Sequence, residues 1–283
     1  MAGEAEQQLR AYVEYFRDLG VHDFYRQGEP VFAAEAAAPI AVAPEDVQAV
    51  PVRVVERPVV VTSKPAFLEP PIATLVSFDD LAPLPVSRVP VSEKAAALTA
   101  IQDEIGDCTR CPLAYAGRRK IVFGDGDANA RLMFVGEGPG ADEDASGLPF
   151  VGKAGQLLNN MIAAMGLKRE QVYIANIVKC RPPNNRVPEP AEANVCTQFL
   201  VRQMDVVQPD VVVALGATAA MYLLGVKQSL SSLRGHWHSC RGAKLVVTYH
   251  PAFLLRDPRQ KGEAWKDLQM VMAEMGLKAP AKG

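Results

Sequence analysis

Four cysteines carry the clearest chemical signal in this 283-residue chain. Cys108 and Cys111 form a C-x-x-C pair. Cys180 follows within Asn176-Ile-Val-Lys-Cys-Arg-Pro-Pro, and Cys196 comes fifteen intervening residues later. Thiolates are soft donors that suit zinc or iron, so the set fits either a tetrahedral metal centre or an iron–sulfur cluster. Cys180 falls where a predicted strand ends, so a centre there would brace a second site only a few residues away. Cys240 has no partner at ligand spacing and reads as a lone thiol.

Further polar residues follow predicted strands. Gly136-Glu-Gly-Pro-Gly140 leads into Ala141-Asp-Glu-Asp144 and then Gly147-Leu-Pro-Phe-Val-Gly152. Glycines let a backbone approach a ligand and aim N–H groups at it. The loop lacks the Gly-Lys-Ser/Thr ending of a phosphate-binding P-loop, and its four carboxylates would repel a triphosphate. Asn176 is unusual inside an apolar strand. An unpaired buried amide costs about 1–3 kcal/mol, so it is either satisfied by a neighbouring loop or awaits a ligand with adjacent donor and acceptor groups. His250, in Tyr249-His-Pro-Ala-Phe-Leu-Leu-Arg256, would lie on the same edge as Glu137 and Asn176.

The elements that position these residues are regular. Apolar runs at 131–135, 172–178, 211–215 and 244–248 read as buried strands. Helices are expected at 93–105, 155–165, 190–207, 217–224 and 263–275, with proline in the first turn of the third. Alternation of this kind predicts an α/β fold with a parallel sheet covered on both faces. Ligands of such sheets bind at the carboxyl ends of the strands.

The first part of the chain differs. Residues 5–20 read as a short amphipathic helix within residues 1–28, with Leu9, Tyr12, Val13, Phe16 and Leu19 on one face. Residues 29–95 read as a Pro/Ala-rich disordered tether, 11 of the 22 prolines falling between residues 30 and 95. Residues 1–95 carry 14 acidic and 8 basic side chains, about −6. The remainder holds 18 and 22, about +4, the sign expected for a polyanion partner. No apolar run spans a bilayer and no signal-peptide core is present, so a cytoplasmic setting is expected, without a membrane partner. Five unevenly spaced cysteines do not form a secreted disulfide framework.

Taken together, Gly-Glu-Gly-Pro-Gly, Gly-Leu-Pro-Phe-Val-Gly-Lys-Ala-Gly, Asn-Ile-Val-Lys-Cys-Arg-Pro-Pro-Asn-Asn and His-Pro-Ala-Phe-Leu-Leu-Arg resemble the family 4 uracil-DNA glycosylases over about residues 97–277. The resemblance implies a three-layer α/β/α sandwich with a central four-stranded parallel sheet, a catalytic domain over residues 96–278, and a 4Fe-4S cluster on Cys108, Cys111, Cys180 and Cys196. It implies uracil-containing DNA as partner and a monomer as the working state. The partner of the tether is unassigned. Phe150 would stack on the flipped uracil, and Asn176 would pair with its N3–H and O4. His250 and backbone N–H groups around Gly138 would receive charge on O2, and Pro139 would line the substrate pocket. Glu137 is the first choice to place the water or the sugar, with Glu143 or Asn185 as alternatives, while Asp142 and Asp144 read as a solvated turn. Leu254 or Leu255 would wedge into the gap left by the base. Arg181, Arg186, Arg256, Arg259 and Lys261 are candidates for phosphate contacts.

Three rivals stand beside this reading. A sister group keeps the cluster but traps uracil-DNA covalently through an inserted basic loop with histidine. The 15 residues between Cys180 and Cys196 contain no histidine. A second rival is a non-catalytic iron–sulfur DNA-binding or redox protein, and a third is a zinc-braced structural domain.

Overall fold

The computed structural model describes residues 75–278. The expected helix at 5–20 and the tether as far as residue 74 lie outside the described residues. Six strands form one sheet: β1 (Asp125–Gly126), β2 (Leu132–Gly136), β3 (Tyr173–Asn176), β4 (Val211–Leu215), β5 (Trp237–Cys240) and β6 (Ala243–Thr248), in the order β1-β3-β2-β4-β6-β5. The central four are parallel, as expected. The short edge strands β1 and β5 run antiparallel to their neighbours, so the sheet is mixed and wider than four strands.

Side chains alternate between the two faces of a strand, and here each face meets its own helices. The helices are α1 (Phe78–Leu81), α2 (Lys94–Ile105), α3 (Ala141–Ser146), α4 (Lys153–Ala164), α5 (Pro190–Val207), α6 (Ala217–Leu224), α7 (Leu230–Leu233), α8 (Pro251–Arg256) and α9 (Lys261–Met275). Met133, Val135, Val212, Ala214, Leu245 and Val247 pack with Leu98 and Ile101 of α2 and Phe199, Leu200 and Met204 of α5. Leu132, Phe134, Ile174, Val213 and Val246 pack with Leu158 and Ile162 of α4 and Leu268 and Val271 of α9. Each such side chain stabilises the fold by about 1.5–3 kcal/mol on full burial. No helix among the described residues is long and apolar enough to cross a membrane.

The parallel register sets Gly136 opposite Asn176 and Leu215 opposite Thr248. The loops after β2, β3 and β6 therefore leave from one edge of the sheet.

Part of the proline-rich stretch is packed on the domain. Phe78 is fully buried. The Arg241 guanidinium donates to the carbonyls of Phe78 (3.1 Å), Ala82 and Pro83 (2.9 Å) and forms a two-point ion pair with Asp205 at 2.9 and 2.7 Å. Proline denies a segment its place in a sheet ladder, but its carbonyls still accept hydrogen bonds, and an arginine can gather them.

Candidate active site and thiol centre

A cavity of about 580 Å³ opens at the carboxyl edge of the sheet. Glu137, Gly138, Pro139, Glu143, Phe150, Asn176, Asn185 and His250 all line it, and Arg186 and Arg256 stand in its wall. These residues come from separate stretches of the sequence, and the strand register gathers them.

Phe150 is 5% exposed and has a left-handed backbone, φ 53°. A non-glycine residue in that region costs on the order of 1–3 kcal/mol and persists only where its surroundings hold it. Arg169 does the holding: it donates to the carbonyls of Pro149 (2.5 Å) and Phe150 (3.1 Å) and to Asn159 Oδ1 (3.0 Å). Gly155 permits the fold of this loop, since a Cβ there would stand 1.9 Å from the Phe150 carbonyl oxygen. Arg169 has no motif around it, and nothing in its sequence position signalled the role.

Asn176 is 2% exposed, and its side-chain oxygen Oδ1 is buried with no hydrogen-bond partner. No neighbouring loop satisfies that oxygen, so the first of the two sequence readings of this residue fails for it. Thr248 Oγ1 is the other buried side-chain atom without a partner among the described residues.

The two acidic candidates are held differently. Glu143 Oε1 accepts from the N–H groups of Val151 (2.9 Å) and Gly152 (3.0 Å), and Oε2 accepts from Gly140 (3.1 Å). It ties the glycine loop after β2 to the loop that carries Phe150. The Glu137 carboxylate makes no hydrogen bond or ion pair with any described residue. Asp144, expected in a solvated turn, is instead buried and accepts from the Arg119 N–H at 2.8 Å. Its position on α3 turns it inward, which three consecutive acidic residues do not reveal.

His250 caps the N-terminus of α8: its Nδ1 accepts from the Ala252 N–H at 3.1 Å. The neutral ring therefore carries its proton on Nε2. Removal from bulk water, with Arg256 nearby, pushes the imidazole down to about 4, although Glu143 acts in the opposite sense. At neutral pH the ring is uncharged and offers one N–H. Its centroid lies 5.6 Å from that of Phe150. The segment is braced from behind, where Tyr249 stacks on Phe253 (5.1 Å) and the Arg234 guanidinium lies 4.1 Å over Tyr249.

At the rim, Asn184 and Asn185 both have left-handed backbones, and Asn185 Oδ1 accepts from Arg181 at 2.8 Å. Arg186 makes a two-point pair with the buried Glu192 at 2.7 and 2.8 Å, which occupies its guanidinium. Arg259 is paired with Asp257, while Arg256 is exposed. Leu254 is 1% exposed and Leu255 is 43% exposed. Leu254 thus belongs to the interior and is corrected as a wedge candidate. On a six-residue helix, periodicity alone could not choose between adjacent leucines.

The four thiols of the expected ligand set line one small cavity with Ile105, Arg118, Ile121, Lys179, Val195 and Phe199. Arg118 donates to Cys180 Sγ at 3.2 Å and to the Cys108 carbonyl at 2.6 Å, and pairs with Asp107. The Lys179 backbone N–H donates to Cys196 Sγ at 3.2 Å. Burial pushes the Cys196 thiol up to about 12, against the pull of Lys179, and pushes the Lys179 ammonium down to about 8. Four soft donors on an apolar cavity, two of them receiving N–H bonds, fit the chemistry of a thiolate-ligated cluster. Among the described residues no three His, Cys, Asp or Glu side chains stand close enough to hold a single ion. The ligands of a bridged cluster stand farther apart than those of one ion. Cys240 is buried away from this set, its Sγ 3.6 Å from the Leu223 carbonyl.

Comparison with known proteins agrees with this geometry. A family model described as the uracil DNA glycosylase superfamily matches residues 123–269. A type-4 uracil-DNA glycosylase of Thermotoga maritima is 47% identical over 159 residues, covering 56% of this chain and 82% of that protein. One from Pyrobaculum aerophilum is 42% identical over 181 residues, covering 61% and 92%. A type-5 uracil-DNA glycosylase of the same organism is 32% identical over 178 residues, covering 52% and 78%. With this cavity at the sheet edge and these relatives, the chain belongs to the type-4 family of the uracil-DNA glycosylase superfamily.

Proposed function

We propose that this protein removes uracil from DNA. It hydrolyses the N-glycosidic bond of an extruded deoxyuridine, releases free uracil and leaves an abasic site. The observation that carries the site assignment is the buried, partnerless Oδ1 of Asn176 on the wall of a cavity shared with Phe150 and His250.

A base in the duplex stack is out of reach, so it is flipped into the pocket at a cost of a few kcal/mol. Phe150 receives one face of the ring. Asn176 Oδ1 accepts from uracil N3–H, and its amide group donates to O4. Cytosine presents the reverse pattern at those two positions, leaving buried polar groups unpaired, which is how such a site rejects a near-isostere.

Cleavage proceeds through an oxocarbenium-like sugar. Negative charge then collects on the leaving base at O2. The Nε2–H of neutral His250 and backbone N–H groups around Gly138 meet it, with Pro139 lining the pocket beside them. A donor of this kind contributes about 10²–10³ in rate. Glu137, with a carboxylate unengaged by protein, positions the water or steadies the sugar cation. Glu143 is a positioning residue, because both its oxygens are already committed to backbone. Asn185, at the mouth of the cavity, contacts the sugar or the water from the rim. Leu255 fills the gap left by the base, as apolar wedges do at opened steps. Arg256 and Arg181 meet phosphates.

The same proposal places a 4Fe-4S cluster on Cys108, Cys111, Cys180 and Cys196. Held there, these thiols would tie the segment after α2, the segment after β3 and helix α5 together, and the bond-breaking chemistry would stay with the cavity residues. Residues 75–278 act as the catalytic domain, working as a monomer in the cytoplasm, with residues 1–74 as an appended segment. The loop between Cys180 and Cys196 offers no histidine for covalent trapping, so turnover is expected. Incubating the purified protein with a uracil-containing oligonucleotide, followed by detection of free uracil and of alkali-labile sites, tests the reading. A stable protein–DNA adduct without free uracil would favour trapping.

A further inference from the structure

Lys179 is a fully buried lysine between the two sites, and the reaction above leaves it unused. Its side chain is 1% exposed, and its ammonium donates to the Asn176 carbonyl at 3.1 Å and to Gln203 Oε1 at 2.6 Å. Gln203 in turn donates to the Phe123 carbonyl and the Tyr173 hydroxyl, both at 3.0 Å. No carboxylate among the described residues pairs with this ammonium. Its own backbone N–H reaches Cys196 Sγ, and it lines the thiol cavity. A buried charge without a counter-charge is expensive, and proteins keep one only where something compensates it. The acceptors it touches are neutral, and the anions that would face it are the thiolates of a loaded centre, Cys196 foremost.

We infer that Lys179 is a positioning residue that fixes the uracil-reading Asn176 to the thiolate centre, with that centre as its counter-charge. The inference rests on the reading of Asn176 as the uracil contact. The carbonyl that Lys179 holds belongs to Asn176 itself, so the clamp acts at the root of the side chain that must meet the base. β3 ends at Asn176, and Ile177 and Val178 beyond it still donate to the Gly136 and Glu137 carbonyls at 3.0 and 3.2 Å. The ammonium supplies a fixed point there. The thiol centre thus serves the pocket through Lys179, whose backbone N–H meets Cys196 and whose ammonium meets Asn176, and the order of Asn176 depends on whether the centre is loaded.

Lys179→Met removes the charge and the donor while keeping an unbranched apolar stem. Misplacing a reacting group by about 1 Å costs on the order of 10²-fold in rate, so kcat/KM for uracil release should fall about 10- to 100-fold. Affinity for free uracil should fall with it, whereas affinity for abasic-site DNA should hold. Iron content should remain that of the parent, and the reduction potential of the centre should move to a more negative value, because a nearby positive charge favours the more negative redox state. In an Asn176→Ala background the same substitution should add little further loss, since Lys179 acts through that amide.

Full activity in Lys179→Met overturns the inference, as does a loss that adds in full to that of Asn176→Ala or an unchanged potential. If Lys179→Met fails to fold or to hold iron, Lys179→Gln, which keeps a neutral donor, takes its place. It should retain activity between Lys179→Met levels and the parent's, and collapse of the fold in both variants assigns Lys179 to the core and overturns the inference. Absence of uracil release from the parent protein, or an unaffected Asn176→Ala, would instead strike the reading on which it rests.

Discussion

Gly136 and Asn176 face each other across the β2–β3 pair, and a Cβ on Gly136 would lie 2.4 Å from Asn176 Oδ1. The same atom would stand 2.5 Å from the Phe150 ring. The absence of a side chain at Gly136 therefore lets the amide and the ring share one pocket. Gly136→Ala should push both outward. Uracil release should fall on the order of 10²-fold while the protein stays folded, measured by single-turnover kinetics beside thermal unfolding. Unchanged kinetics would mean that neither group needs its present place.

Asn176→Ala removes the polar groups proposed to read the base. A hydrogen bond lost against a buried partner costs about 1–3 kcal/mol, so kcat/KM should drop about 10- to 100-fold through this pair alone. Selectivity for uracil over cytosine should narrow as well. Competition assays with both bases measure it.

His250 gives a prediction in pH. Its imidazole is pushed down to about 4, below the unperturbed value of about 6.5. The folded protein thus binds fewer protons here than the unfolded chain between those two values. The contribution of this histidine to stability is complete above about 6.5 and is lost as pH falls toward 4. Activity that depends on the neutral ring should keep its acid limb near 4 rather than near 6.5. His250→Ala should lower kcat by about 10²–10³ with little change in DNA affinity, and equal losses in both would make the residue structural.

Truncation separates the docked part of the proline-rich stretch from the rest. Removing residues 1–74 should leave uracil release by the domain intact. Removing residues 1–90 takes away Phe78 and the carbonyls held by Arg241. Phe78→Ala alone should cost about 3–5 kcal/mol in urea unfolding, with the pocket kinetics preserved in the fraction that stays folded.

Cys196→Ala deletes one donor of the thiol cavity. With the proposed 4Fe-4S cluster as the occupant, the variant should be colourless and poor in iron beside the parent, and its unfolding midpoint should fall. A colourless parent protein with a stoichiometric zinc content would reassign the centre.

The parallel core was legible because its strands are unbroken apolar runs, and the thiol set because its spacing is distinctive. The edge strands were not. Asp125-Gly126 reads as a turn, and Trp237-His-Ser-Cys240 is half-exposed and polar. Glu137, Phe150, Asn176 and His250 could be named from motifs, and the strand register then gathered them. The residues that hold them could not. Arg169, Lys179 and Arg241 act on backbone carbonyls, in most cases far off in the chain, and a carbonyl leaves no mark in the sequence. Phe78 was hidden for a related reason: one buried aromatic among prolines looks like tether until its receiving surface is known.

Uracil excision is tested most directly by a single-turnover assay on an oligonucleotide with one deoxyuridine, run with the parent protein and Asn176→Ala side by side. The expected result is stoichiometric free uracil and an abasic strand from the parent, with the variant slower by about 10- to 100-fold. Intact deoxyuridine after incubation with folded, iron-loaded parent protein would contradict it.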